Sequence, residues 1–124
     1  MLMDKTICTV ADNSGVKKFR VFKVLGRGPK KPARIAGIVI GSAIEVIPQS
    51  SIKKKTVLKG IVVRTKAPIK RKNGTTVRFD DNAVVILGAD DKAVIRATRI
   101  IGPVAREIRG KGYKKIISLA KEII

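Results

Sequence analysis

Residues 57–87 read VLKGIVVRTKAPIKRKNGTTVRFDDNAVVIL, two aliphatic runs separated by a basic, turn-rich segment. The first run, 57–65, is dense in β-branched residues and reads as a strand; so does the compact apolar run at 83–87. Between them, Lys70-Arg71-Lys72 leads into Asn73-Gly74, the strongest short hairpin signal, and residues 75–79 supply a second arm. The expected local structure is a hairpin of 57–65 and 75–79 around a basic tip. Pro68 belongs on an exposed edge, where its missing backbone donor is tolerated.

Strand signals continue on both sides. Ile7-Cys8-Thr9-Val10 is β-prone and ends at Asp12-Asn13-Ser14-Gly15, a turn in which Asn and Gly tolerate positive φ. Residues 19–25 alternate, placing Phe19, Val21 and Lys23 on one face and Arg20, Phe22 and Val24 on the other. Residues 35–47 are a long aliphatic run broken by Gly37 and Gly41, which points to strong bending or a bulge. Residues 93–101 are a further strand candidate. Five or more short strands with frequent turns predict a mainly β chain that closes into a small barrel, since closure hides aliphatic edges.

The periodicity changes after Gly102-Pro103, where Pro can open a short helix. Gly110 and Gly112 interrupt it. Apolar residues then recur at Tyr113, Ile116, Ile117, Ala120 and Ile124, with Lys114, Lys115, Ser118 and Lys121 opposite, as in an amphipathic helix. The expected organisation is one domain over 1–124: barrel, basic loops and hairpin in 1–101, and a short helical region in 102–124.

Charge indicates the partner. The 124 residues include 28 Lys and Arg against 9 Asp and Glu, a formal net charge of +19, while 44% hydrophobic residues suffice for one core. No acid occurs in 13–44 or 46–79, so their eight and ten basic side chains must repel one another or meet an external anion. Several fall in turn-rich segments: Arg27, Lys30 and Lys31 among the glycines and prolines of 26–32, Lys53 to Lys55, and Lys70 to Lys72. Arg20, Arg64, Lys66 and Arg78 extend the set. Loop tips of this kind can reach separate phosphate strands of a folded RNA.

Composition excludes much else. Without His there is no imidazole base, no His-ligated metal and no Ser-His-Asp triad; Cys8 alone supports neither a disulfide nor a Cys-based zinc site. No cofactor, metal or catalytic centre is expected. The four aromatics, Phe19, Phe22, Phe79 and Tyr113, are too few for a platform stacking several bases. No apolar run reaches the roughly 18–20 residues of a membrane span, and residues 1–5, with Asp4, do not resemble a signal or transit peptide.

These residues resemble one family, the universal large-subunit ribosomal protein numbered fourteen, in its bacterial or organellar form. The likeness rests on Gly60-Ile61-Val62-Val63, nine residues, Asn73-Gly74, four residues, Phe79, then Asn82 and Val85-Ile86. Three further segments match: residues 10–15, Thr98-Arg99-Ile100 leading to Gly102-Pro103-Val104, and residues 115–120. The resemblance implies a five-stranded β-barrel with a projecting hairpin and short C-terminal helices. It also implies binding to large-subunit ribosomal RNA on the subunit-facing side, neighbours in the large-subunit proteins numbered three and nineteen, and a bridge to small-subunit RNA. A ribosome-silencing factor is a further implied partner, and the implied location is the ribosome of a bacterial cytoplasm or an organelle.

Carried over by position, Asn13 and Ser14 with Lys17 and Lys18 resemble the family's N-terminal RNA-contacting turn. Lys53, Lys54, Lys55, Lys70, Arg71 and Lys72 occupy its basic loops, and Thr98, Arg99, Lys115 and Ser118 its bridge and silencing-factor surface. For Arg99 the competing role is a structural salt bridge with Glu107. The chain departs from the usual pattern at Ala36-Gly37 (commonly Gly-Asp), Ala97 (commonly Gly) and Lys121 (commonly Pro).

Two other function classes fit less well. A nonspecific DNA-compacting protein would explain the charge, but no apolar wedge flanks the Asn73-Gly74 tip, which lies between Lys72 and Thr75. For an enzyme, the only carboxylate pairs are Asp80-Asp81 and Asp90-Asp91, beside turn formers Asn82 and Gly88, where turn and hydration roles suffice.

Overall fold

The computed structural model describes residues 6–13, 15–24, 34–48, 54–87, 100–110, 114–120 and 122–124, with side chains at 109, 110, 114 and 115 outside that description. Its elements in chain order are β1 (Ile7–Val10), β2 (Val16–Val24), β3 (Ile38–Val46), β4 (Val57–Arg64), β5 (Ile69–Lys70), β6 (Thr76–Val77), β7 (Ala83–Ile86), β8 (Pro103–Val104), α1 (Glu107–Gly110), α2 (Lys114–Leu119) and β9 (Glu122–Ile123). The five longer strands close a barrel in the order β1-β2-β3-β4-β7. Neighbours run antiparallel except at the seam, where β7 lies parallel to β1 with Thr9 opposite Ala83 and Val10 opposite Val84. Closure leaves none of the five with an open edge, as the aliphatic runs required.

The barrel is filled from alternate positions. Cys8, Val10, Phe19, Val21, Val39, Ala43, Leu58, Val62, Val84 and Ile86 share one buried cluster. The opposite faces of β4 and β7 are buried too: Ile61, Val63, Val85 and Leu87 pack with Ile100, Val104, Ile108 and Ile116. Two-sided burial explains why these strands read as unbroken apolar runs, whereas β2, with one wet face, alternates. At roughly 1.5–3 kcal/mol per fully buried aliphatic, this second layer fixes the C-terminal segment to the barrel wall.

Gly41 sits where two strands come closest. A Cβ there would overlap the carbonyl oxygen of Arg20 and lie 2.7 Å from Cε1 of Phe19, whose ring is fully buried. The expected bulge is present in β3, where Ile44 is the extra residue between Ala43 and Glu45. Strand β2 carries two more, at Lys17 and, beside Gly41, at Phe22, since Val21 opposes Gly41 and Lys23 opposes Ile40. The Phe22 insertion corrects the simple alternation, because Lys23 turns outward and Val24 inward. Gly37 precedes β3 and takes no part in its bulge.

Two other expectations change. The Asn73-Gly74 hairpin joins the short strands β5 and β6, Ile69 opposite Val77, while the neighbours of β4 are β3 and β7. After Arg64 the chain leaves the sheet, Thr65 Oγ1 donating to the Ala67 carbonyl at 3.1 Å. Pro103 opens no helix but lies in β8, which pairs in parallel with β9, and α1 begins at Glu107. The C-terminal helix then stops at Leu119. Ile116 is buried as its spacing predicts, but Ile124 follows β9 and is half-exposed. The strand candidate at 93–101 lies outside the described residues apart from Ile100, which bridges to Asp12, and the exposed Ile101, whose N–H donates to Ala11 O at 2.8 Å. Among the described residues no helix is long and apolar enough to cross a membrane.

Candidate nucleic-acid interface

Strand β2 carries the first basic cluster. Its inward residues Val16, Phe19 and Val21 fix the outward direction of Lys17, Lys18 and Arg20, all exposed, and the bulge at Phe22 adds Lys23. Among the described residues only Lys18 of these faces an acid, Glu45 at 3.7 Å, and both side chains are more than half exposed, so solvent screens that pair. Asn13 is exposed at the turn before β2, where Gly15 adopts φ 102°. Lys54 and Lys55 are exposed at the turn into β4. Lys55 has φ 69° and donates its backbone N–H to Ala43 O at 2.6 Å, so this basic turn is pinned to β3.

The hairpin displays Lys70 and Lys72, both exposed, with Arg78 exposed just beyond β6. Its tip is a tight turn: Gly74 N donates to Arg71 O at 3.1 Å and Arg71 N to Thr75 O at 2.9 Å. Gly74 takes φ 87°, and Asn73 Oδ1 accepts from Thr75 N and Oγ1. Lys66 is exposed, its backbone N–H held by Asn82 Oδ1 at 2.9 Å. Among the described residues, Lys17, Arg20, Lys54, Lys55, Lys66, Lys70, Lys72 and Arg78 have no carboxylate partner.

Two arginines have work inside the fold instead. Arg64 has a 9% exposed side chain. Its Nη1 donates to the carbonyls of Ile101 and Pro103, and Nη2 to Asp81 Oδ2 at 3.3 Å. Nε lies 3.1 Å from Asp81 Oδ1 as a contact of charge, without an aligned hydrogen bond. Arg71 clasps Glu107 with Nε at 2.6 Å and Nη2 at 3.3 Å, and Nη2 also reaches Ile124 O at 2.6 Å. The basic triplet of the hairpin thus offers two free cations, not three. The Glu107 carboxylate proposed as a partner for Arg99 is held by Arg71.

Ser14, Lys30, Lys31, Lys53, Thr98 and Arg99 lie outside the described residues. Lys115 belongs to α2, and Ser118 is exposed on the same helix. Sequence reasoning missed Lys23 as an outward group. The signal was available, since a lysine is almost never accommodated inside a small aliphatic barrel.

No group of three or more metal-capable side chains occurs among the described residues. Cys8 is buried in the barrel, its thiol pushed by burial up to about 12 and its Sγ 3.4 Å from Phe19 O, a poor nucleophile or ligand. Over residues 1–124 the sequence matches the profile described as Ribosomal protein L14p/L23e. On this full-length match the chain, a closed five-stranded barrel with outward cations, belongs to the ribosomal protein L14p/L23e family.

Proposed function

We propose that the chain binds large-subunit ribosomal RNA on the subunit-facing side of the large subunit, in a bacterial or organellar ribosome, and contributes to a bridge with small-subunit RNA. The carrying observation is the set of exposed cations on β2, the turn before β4 and the hairpin, which, apart from the solvent-screened Lys18–Glu45 pair, lack carboxylate partners among the described residues. Lys17, Lys18, Arg20, Lys54, Lys55, Lys66, Lys70, Lys72 and Arg78 meet phosphates, and Asn13, Ser14, Lys30, Lys31 and Lys53 extend that contact. Arg forks bind phosphate in bidentate fashion while Lys supplies adaptable point charge. Specificity then comes from the shape of folded RNA and the positions of its backbone. Thr98, Arg99, Lys115 and Ser118 form the surface for the bridge and for a ribosome-silencing factor, and the large-subunit proteins numbered three and nineteen are the protein neighbours.

The test is binding to large-subunit RNA over a salt series, with duplex DNA as competitor. Each phosphate contact contributes about 0.7–0.9 log units of affinity per tenfold change in salt. A steep slope with RNA preferred is the expected result. Equal competition by duplex DNA would replace this reading with nonspecific DNA compaction.

A further inference from the structure

The bulge at Phe22 in β2 does more than bend the strand. Val21 opposes Gly41 and Lys23 opposes Ile40, so Phe22 has no partner across the ladder. Alternation would turn Lys23 inward beside Val21; instead the consecutive residues Phe22 and Lys23 are both exposed, and Val24 packs against the core. Arg20, one pleat earlier, also points outward. An aromatic ring, 46% exposed, therefore stands on the outer wall with a cation before it and another after it. The other described phenylalanines are interior, Phe19 at 0% and Phe79 at 8% exposure. Bulges re-aim side chains in this way beside functional sites.

We propose that Phe22 is a stacking platform for one unpaired base of the bound RNA, with Arg20 and Lys23 holding the phosphates on either side. The proposal rests on the RNA-binding reading above and adds its substrate class: single-stranded loop or bulge RNA, because bases within a duplex have their faces covered. A ring flanked by cations matches single-stranded nucleic acid better than a protein surface. Every base offers a π-face, and the flanking charge demands an anionic backbone. A single platform also suits a chain too poor in aromatics to stack several bases.

The experiment uses the full chain with two probes: a short adenine-rich RNA strand carrying 2-aminopurine at its centre, and the same strand annealed to its complement. Phe22→Leu keeps apolar bulk without the ring, and Phe22→Tyr restores the ring. The expected result is a loss of about fivefold or more in single-strand affinity for Phe22→Leu. Duplex affinity and salt slope stay unchanged, the 2-aminopurine response disappears, and Phe22→Tyr recovers both. Unchanged single-strand binding by Phe22→Leu, or equal weakening on both probes, overturns the proposal while leaving salt-dependent RNA binding intact. Failure of the wild-type chain to bind the single strand while it binds large-subunit RNA overturns the proposal alone, and failure to bind large-subunit RNA overturns both readings together.

Discussion

The guanidinium of Arg64 occupies the space in which a side chain at position 102 would begin: a Cβ on Gly102 would overlap Nη1 of Arg64. Gly102 also has φ 81°, a conformation that L side chains rarely adopt. Sequence and packing thus demand glycine for two separate reasons. Gly102→Ala is expected to lose about 2–4 kcal/mol, combining left-handed strain with displacement of a buried charged donor from its carbonyls. Urea denaturation of the variant measures this. A loss below about 1 kcal/mol would mean that Arg64 relocates freely.

Gly41 and Gly60 make a sharper pair. The Cβ of Gly41→Ala would meet backbone, the Arg20 carbonyl, whereas that of Gly60→Ala would meet Val84 Cβ at 3.3 Å. The first substitution should abolish stable folding, a loss above about 4 kcal/mol, and the second should cost about 1–2 kcal/mol. Similar denaturation midpoints for the two would contradict the close approach of β2 and β3.

Much of this was legible beforehand. β1 and the β7 run followed from apolar patterning, and Ile116 from helical spacing. The glycines of 35–47 announced an irregularity, and β3 has one at Ile44, but the insertion at Phe22 in β2 shows only in the pairing, and it reversed Lys23 and Val24. The hairpin tip was legible from Asn73-Gly74, yet its arms were not. Short two-residue strands leave no periodicity, and the longer aliphatic run beside them belonged to the barrel. The internal roles of Arg64 and Arg71 were invisible in sequence, because charge runs do not reveal that an acid 17 or 36 positions away comes within reach.

Ala36 is a second strained backbone position, at φ 65°, its N–H donating to Val62 O at 2.8 Å. Relief of left-handed strain outweighs the extra chain entropy of glycine, so Ala36→Gly should gain up to about 1 kcal/mol. Thermal unfolding checks the sign, and a lowered midpoint would refute it.

Arg71 and its two lysine neighbours should separate by phenotype. The Arg71–Glu107 pair is half-buried, with side chains 18% and 31% exposed. A double-mutant cycle with Arg71→Ala and Glu107→Ala should return a coupling of about 1 kcal/mol. Lys70→Ala and Lys72→Ala should leave stability unchanged and each reduce the RNA salt slope by about 0.7–0.9. A reduced slope for Arg71→Ala with no loss of stability would reverse that division of labour.

Cys8 supplies a pH signature. Burial raises its thiol from 9.0 to about 12 in the folded chain. The unfolded chain therefore releases this proton near pH 9 while the folded chain keeps it. The stabilisation is full below that pH and is lost as pH rises toward 12. Relative to Cys8→Ala, in which the lysine background cancels, wild-type stability should fall by about 1 kcal/mol between pH 8 and 10. A pH-independent difference would contradict the buried, protonated thiol.

Sedimentation of the tagged chain from its native lysate through a sucrose gradient, with and without ribonuclease, tests the ribosomal assignment most directly. Co-migration with large subunits and assembled ribosomes, abolished by ribonuclease, is the expected result. A slow-sedimenting peak beside intact ribosomes would contradict it.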